Sequence, residues 1–275
     1  MRRHSRRLRR RNCFEMLTQP PAGKGLFRHS HRLREKQSTQ IVMRKIALTF
    51  IFVCCSLTLT THAQIVRQIK PVDWKEVKKV ADNDPQRIRD LVARLSADKI
   101  DTTMTWNERV LAYYGQSYLT PNTEMTDCLD QDNLMREGKY EECLAKAKET
   151  LKKNPVSLKS LSNAAFAITR MLKDSTNHYD VSKEEGQTYF NRMSRIFNTI
   201  ASTGAGTEKL PFAVTAVSDE YLFMRYYLNI WEIERQSFTG KYDVFELKET
   251  SQYYTEKKMY FDISRIMEIE RSMFE

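Results

Sequence analysis

Residues 43–63 divide this chain before any fold is considered. Met43 is followed by the charged pair Arg44-Lys45 and then by an apolar stretch, Ile46 to Leu59, interrupted only by Thr49, Ser56 and Thr58. Thr61, His62 and Ala63 then form a small-x-small site ahead of Gln64. A cationic start, an apolar centre and a small-residue end make a secretory signal, cut between Ala63 and Gln64. The apolar centre is too short, and its far flank too small and polar, for a stop-transfer helix, although a single-pass anchor is the alternative. Phe52 and Val53 precede Cys54 where a lipid-modified cysteine needs small residues, so neither Cys54 nor Cys55 is read as acylated. The part left to fold is Gln64–Glu275.

Charge is segregated along the same boundary. Residues 1–42 hold twelve of the 45 basic residues and two of the 35 acidic ones, so they carry the whole net charge of +10. Cleavage after Ala63 leaves 31 basic and 33 acidic residues, a net charge of −2. The basic pI therefore belongs to a leader too charged and too poor in apolar residues to fold. It reads as a start assigned too early, ahead of the true start at Met43, or as a disordered basic leader. A nucleic-acid partner loses its electrostatic case. The mature part of 212 residues has two cysteines, Cys128 and Cys143, and one histidine, His178. A His-based zinc site, a Ser–His–Asp triad and a Cys–His dyad all need more than this supplies. No cofactor or metal is expected, and no stable membrane anchor remains after cleavage.

Apolar residues recur at helical spacing through the first two thirds of the mature part. Val72 to Ala81 is read as a helix with Trp74, Val77 and Val80 on one face. Asp84-Pro85 is an N-cap followed by proline at the first helical position, and Ile88, Leu91, Val92 and Leu95 form the stripe behind it. Thr105 and Glu108 spell a capping box for a helix through Tyr118. Asp127–Glu137, Tyr140–Lys152 and Leu158–Leu172 follow, stopped by Gly138, by Asn154-Pro155 and by the polar connector holding His178. Ser182 and Glu185 spell a second capping box, with Gly204 expected as a left-handed terminator of that helix. Beyond Gly204 the pattern changes. Phe212–Val217 is a short β-branched run, and Ser218 is read as the cap of a brief helix. Asn229–Phe238 and Lys241–Lys248 alternate around Thr239-Gly240 as a hairpin does. Lys258–Ile263 is a third strand and Arg265–Phe274 a last helix. The expected boundaries are a helical domain at 64–203 and a small α+β module at 204–275.

Residues 138–155 resemble the second helix of a tetratricopeptide repeat. Gly138 and Tyr140 match the turn, Cys143, Ala147 and Leu151 the close-packing face, and Pro155 the start of the next repeat. Cys143 and Thr150 stand where alanine is usual. Wider stretches resemble a family of secreted Gram-negative bacterial proteins known only as a domain of unknown function. They are Tyr113-Tyr114-Gly115, Gly138–Pro155, Thr203-Gly204-Ala205-Gly206 with Phe212-Ala213-Val214, Ser218-Asp219-Glu220-Tyr221, and Tyr260-Phe261-Asp262-Ile263-Ser264. The resemblance covers roughly residues 70–275. It implies export and a fold but no catalytic residue.

Several acids invite a chemical reading. Asp219 and Glu220 form a candidate acid/base pair, but neighbours on a helix diverge by about 100°, and a helix N-terminus welcomes acids in any case. Glu232 and Glu234, opposite Asp243 and Glu246, could flank a glycosidic bond, or simply decorate a solvated strand face. Asp130, Asp132 and Glu141 have three of the spacings of a calcium loop, yet Leu134 and Met135 occupy positions such a loop needs for a ligand and a glycine.

The expected fold class is therefore α+β: tetratricopeptide-like helical hairpins, then a small antiparallel sheet and a C-terminal helix. The expected activity is non-catalytic binding of a protein or peptide in the periplasm or outside the cell, with Asn133, Arg136 and Asn163 on the binding face. A carboxylate-dependent envelope hydrolase and a purely structural envelope component are the alternatives. Peptide mapping of the native protein should give Gln64 as its first residue and no peptide from Arg2–Arg11. Peptides from that region in cell extracts would overturn the later start.

Overall fold

The computed structural model describes residues 69–121, 123–174 and 180–273, without the side chains of 123–126. The signal segment, the Ala63–Gln64 cleavage position, the basic leader and His178 lie outside the described residues. Among the latter, seven helices precede the sheet: α1 (Trp74–Asn83), α2 (Pro85–Ser96), α3 (Trp106–Leu119), α4 (Thr123–Glu137), α5 (Tyr140–Lys153), α6 (Leu158–Met171) and α7 (Lys183–Ala201). Strand β1 (Phe212–Ala213), helix α8 (Val217–Leu222) and a π-helical turn (Phe223–Tyr227) follow. Strands β2 (Ile233–Phe238), β3 (Tyr242–Leu247) and β4 (Lys258–Asp262) and helix α9 (Ser264–Ser272) complete the α+β fold.

The local signals act as their chemistry requires. Asp84 accepts from the Arg87 amide ahead of α2. Thr105 and Glu108 close both arms of their capping box. Gly138 turns α4 into α5 at φ 77° with open space around its missing side chain. A two-residue connection of this kind makes α4 and α5 antiparallel neighbours. Ser182 caps α7 through the Glu185 amide, but the reverse arm of the box is absent. The Glu185 carboxylate instead reaches Lys148 on α5 at 2.7 Å, tying two helices together.

Two terminators differ from the reading of the sequence. Helix α7 ends at Ala201 with Ser202 in right-handed conformation, and Gly204 is not left-handed. Gly204 is required for a close approach: a Cβ there would lie 2.0 Å from the Pro211 carbonyl oxygen. The left-handed residue is Gly206, at φ 71°. Likewise Ser218 lies inside α8, whose N-cap is Ala216, because the Asp219 carboxylate already holds the Ala216 amide at 3.1 Å.

The sheet runs in the order β1-β4-β3-β2. Strands β2, β3 and β4 form the expected antiparallel meander, with β2–β3 joined at Thr239-Gly240. The short β1 adds to β4 in parallel, so the sheet is mixed. A parallel pair needs a long crossover, and here α8, the π turn and the hairpin lie between the two strands. The change of character near Gly204 falls inside one continuous core. Buried Tyr114 of α3, Phe223 of the π turn and Phe245 and Phe261 of the sheet all belong to it. Polar bonds cross the same boundary: Trp74 Nε1 donates to Asp262 Oδ2 at 2.8 Å, and Tyr114 Oη to the Ala213 carbonyl at 2.9 Å. Arg265 of α9 donates to the Ser117 carbonyl at 2.8 Å and lies 3.8 Å above the Tyr118 ring.

The glycines separate two physical effects. Gly204→Ala should destabilise the protein by about 3 kcal/mol through backbone displacement, whereas Gly138→Ala should cost about 1 kcal/mol from its left-handed backbone alone. Denaturant unfolding of the two variants checks the order. A milder Gly204→Ala would show that the turn at Pro211 can shift.

Candidate functional site

The seam between α4, α5 and α6 is where the sequence placed its binding residues. Gln131 of α4 is fully buried. Its amide donates to Thr150 Oγ1 and to Ser160 Oγ, both at 3.1 Å. Asn163 donates to Gln131 Oε1 and Asp132 Oδ1, both at 3.2 Å, and Asp132 also pairs with Lys159 at 2.8 Å. Asn163 is therefore a buried member of an interhelical network and not part of an open face. Arg136 is exposed and bonds the half-buried Asn133 along the same helix. The three residues do not share one surface. An asparagine between Ala-rich neighbours reads as surface until its buried partner, Gln131, is known.

The packing residues of the hairpin occupy the places their sizes suit. Cys143 and Ala147 are completely buried, Leu151 is buried, Tyr140 is half-buried, and Pro155 lies in the turn before α6. Neither cysteine of this seam is in a disulfide. Cys143 donates to the Gln131 carbonyl at 3.4 Å, and burial, helped by the Asp132 charge, pushes its thiol up to about 12. The Asp130–Asp132 stretch is continuous helix, with Asp130 within 3.7 Å of Lys146 and Glu141 in the first turn of α5.

The carboxylates proposed for chemistry are dispersed. Asp219 is buried and accepts from Tyr113 Oη at 2.6 Å, Thr215 Oγ1 at 3.1 Å and the Ala216 amide. Burial and the Asp219 charge push the Tyr113 hydroxyl far above its ordinary pKa, so the phenol stays a donor. Glu220 is fully buried beside it. Asp243 is also fully buried and accepts from Gln236 at 3.2 Å, while Gln236 accepts from Tyr221 Oη at 2.6 Å. Glu246, three residues on, faces the other side of β3 and pairs with Arg235 and Lys258 at 2.7 and 3.2 Å. Glu232 precedes β2 and pairs with Lys248 at 2.7 Å. It does not share a strand face with Glu234, since the register also shifts between Ile233 and Arg235. Asp243 and Glu246 cannot oppose each other across one substrate.

A surface feature escaped the sequence reading. The stretch after the π turn is not the start of β2. Asn229 adopts a left-handed conformation, φ 55°, uncommon for a residue with a side chain. Its side-chain oxygen accepts from Trp231 Nε1 at 2.8 Å, which fixes an indole that is 50 % exposed. Behind Trp231 runs a row of partly buried rings. Tyr226 meets it edge-on at 5.8 Å, Phe166 of α6 lies 5.2 Å from Tyr226, and Phe190 of α7 lies 5.7 Å from Phe166. Four elements contribute these rings, so no single periodicity announces them. Tyr226 lies in the π turn, where the Leu228 amide bonds the Phe223 carbonyl five residues back, at 3.1 Å.

Thiol labelling tests the seam. Both Cys128 and Cys143 should label in denatured, unreduced protein, and Cys143 should resist alkylation at pH 8 in the folded state, since only thiolate reacts. Absence of labelling after denaturation would mean that the two are bonded and the helix register differs.

No curated protein and no solved structure matches the chain. A family profile, domain of unknown function DUF4919, matches residues 76–272, from the first turn of α1 to the end of α9. The chain therefore belongs to the DUF4919 family.

Proposed function

We propose that the chain is an exported, non-catalytic binding protein whose ligand is a protein or peptide outside the cytoplasm. The observation that carries this reading is Trp231: a large apolar side chain left half in solvent, yet fixed by Asn229 and backed by three further rings. Tryptophan and tyrosine supply much contact area for little lost rotamer freedom, and they dominate binding hot spots. A strained backbone residue that serves only to aim an exposed ring is well explained by recognition. Export is supported by the signal features of residues 43–63, and the near-neutral mature part offers nucleic acid no attraction. The tetratricopeptide-like α4–α5 hairpin, followed by α6 and α7, supplies a rigid stack on which Phe166 and Phe190 are mounted. Exposed Arg136 and the half-buried Asn133 it bonds supply a polar rim on α4. Asn163 serves the seam, and its loss should lower stability rather than binding.

The full-length protein, immobilised and offered an envelope extract of the producing cells, should retain a partner that can then be purified and titrated. Trp231→Ala should weaken that partner's binding at least tenfold, about 1.4 kcal/mol or more, while leaving the melting temperature nearly unchanged. Asn229→Ala should weaken it less, by releasing the indole. A hydrolytic activity on an envelope glycan or peptide, abolished by replacing Asp219, Glu232 or Asp243, would overturn this reading in favour of an enzyme.

A further inference from the structure

Strand β2 forms one edge of the sheet. The order is β1-β4-β3-β2, so among the described residues β2 is paired on one side only, with β3. Its surroundings are open: Trp231, Glu232, Glu234, Arg235, Ser237 and Phe238 are exposed, and Ile233 and Gln236 are half-buried. An unpaired edge is a template for another strand, and proteins guard such edges with proline, with charge or with a bulge. Residues 231–238 contain no proline. They do contain a bulge and two adjacent charges of opposite sign, and both of these suit one kind of pairing.

The ladder to β3 fixes which backbone groups face outward. The Thr239 amide bonds the Tyr242 carbonyl, and the Glu232 carbonyl accepts from the Lys248 amide, so both residues face β3. Direction alternates along a strand. Counting back from Thr239 turns Phe238 and Gln236 outward, and counting from Glu232 turns Trp231 and Ile233 outward. The two counts differ in parity because β2 advances from Ile233 to Arg235 while β3 advances only from Leu247 to Glu246. Glu234 is the extra residue of this bulge. Now let β2 lie antiparallel to its own copy, with a two-fold axis between Glu234 and Arg235. Trp231 then faces Phe238 of the copy, Glu232 faces Ser237, Ile233 faces Gln236 and Glu234 faces Arg235. Outward backbone meets outward backbone at Trp231–Phe238 and at Ile233–Gln236, which a strand without the bulge could not achieve in this register. The side chains agree. Trp231 lies against Tyr226, Ile233 packs on the core and Gln236 bonds Tyr221, all on the side of the sheet that carries α8 and the π turn. Arg235 lies on the opposite side, with Glu246, and feels the charge of Glu234.

We propose that β2 pairs in this register with β2 of a second copy of the chain, joining the two sheets edge to edge. Charge complementarity selects this occupant. Each chain brings an acid next to a base, and the two-fold axis reverses their order, so a Glu234–Arg235 contact forms on either side of the axis and no like charges meet. The large apolar residues at the two ends of the segment, Trp231 at 50 % and Phe238 at 42 % exposure, cover one another. A single pair of strands buries too little surface for a permanent dimer, so the association is weak and reversible. The pairing does not rest on the reading of Trp231 as a ligand contact. Where both hold, ligand and second copy compete for the indole.

Sedimentation equilibrium of the full chain across a range of concentrations tests this. A reversible monomer–dimer equilibrium is expected. Glu234→Arg alone and Arg235→Glu alone should each weaken it about tenfold or more, because each sets like charges opposite one another on both sides of the axis. Mixing the two variants should restore a dimer, and so should both changes in one chain, since opposite charges then face again. A role for either residue within its own chain predicts no such rescue. Phe238→Ser should weaken the dimer about threefold or more without lowering capture of an envelope partner, so the two readings fail separately. A chain that stays monomeric at every concentration, a dimer indifferent to both charge reversals, or a loss that neither mixing nor the double change rescues would overturn the proposal. A monomer whose capture of an envelope partner falls with Glu234→Arg would do the same, and would give the edge to a foreign strand.

Discussion

The hydrogen bond from Tyr113 to Asp219 is the contact on which the two halves of the structure depend. It joins α3 to the N-terminus of α8 across 106 positions of sequence. A buried carboxylate is tolerable only where donors surround it, and Asp219 collects a phenol, a hydroxyl and a backbone amide. The adjacent Tyr114 reaches the Ala213 carbonyl from the same helix. Two consecutive tyrosines thus seize β1 and α8 together. A hydrogen bond to a charged group contributes about 1.5–3 kcal/mol, more than most neutral ones. The pair also defines geometry, since strand β1 has only two residues and could not be placed by its ladder alone.

A second polar device works inside the helical part. Gln131, Thr150, Ser160 and Asn163 interlock in a seam otherwise built from alanine, leucine and cysteine. Small residues allow helices to slide, and a satisfied polar network permits only one register. Asp132, shared between Asn163 and Lys159, anchors its outer edge. This explains why a buried network is present in helices that could have packed with apolar residues alone.

Local chemistry made much of the architecture legible in the sequence. Asp84-Pro85, Thr105 with Glu108, Gly138 and Thr239-Gly240 act through neighbours within four residues, and each does what its type implies. What could not be read depends on distant partners. Gly204 looks like a helix terminator, but its lack of a side chain answers to the Pro211 carbonyl. Asn163 looks like surface because Gln131 lies 32 residues away. The parallel placement of β1 requires β4, and the row ending at Trp231 draws rings from separate elements. Asn229 alone carried a local hint, as a residue tolerant of left-handed backbone, but the alternation beyond it read as strand.

The bond between Trp74 and Asp262 spans 188 positions, and that from Arg265 to Ser117 spans 148. Helix α1 is therefore clamped by β4, and α3 by α9. These two contacts close loops that span most of the described sequence, so a large loop-closure entropy must be met before they form. Helices α1 to α3 can pack on one another early, but their bonds to β4 and α9 wait for the C-terminal part of the chain. The segment from β4 to α9 thus acts as the closing stitch of the fold.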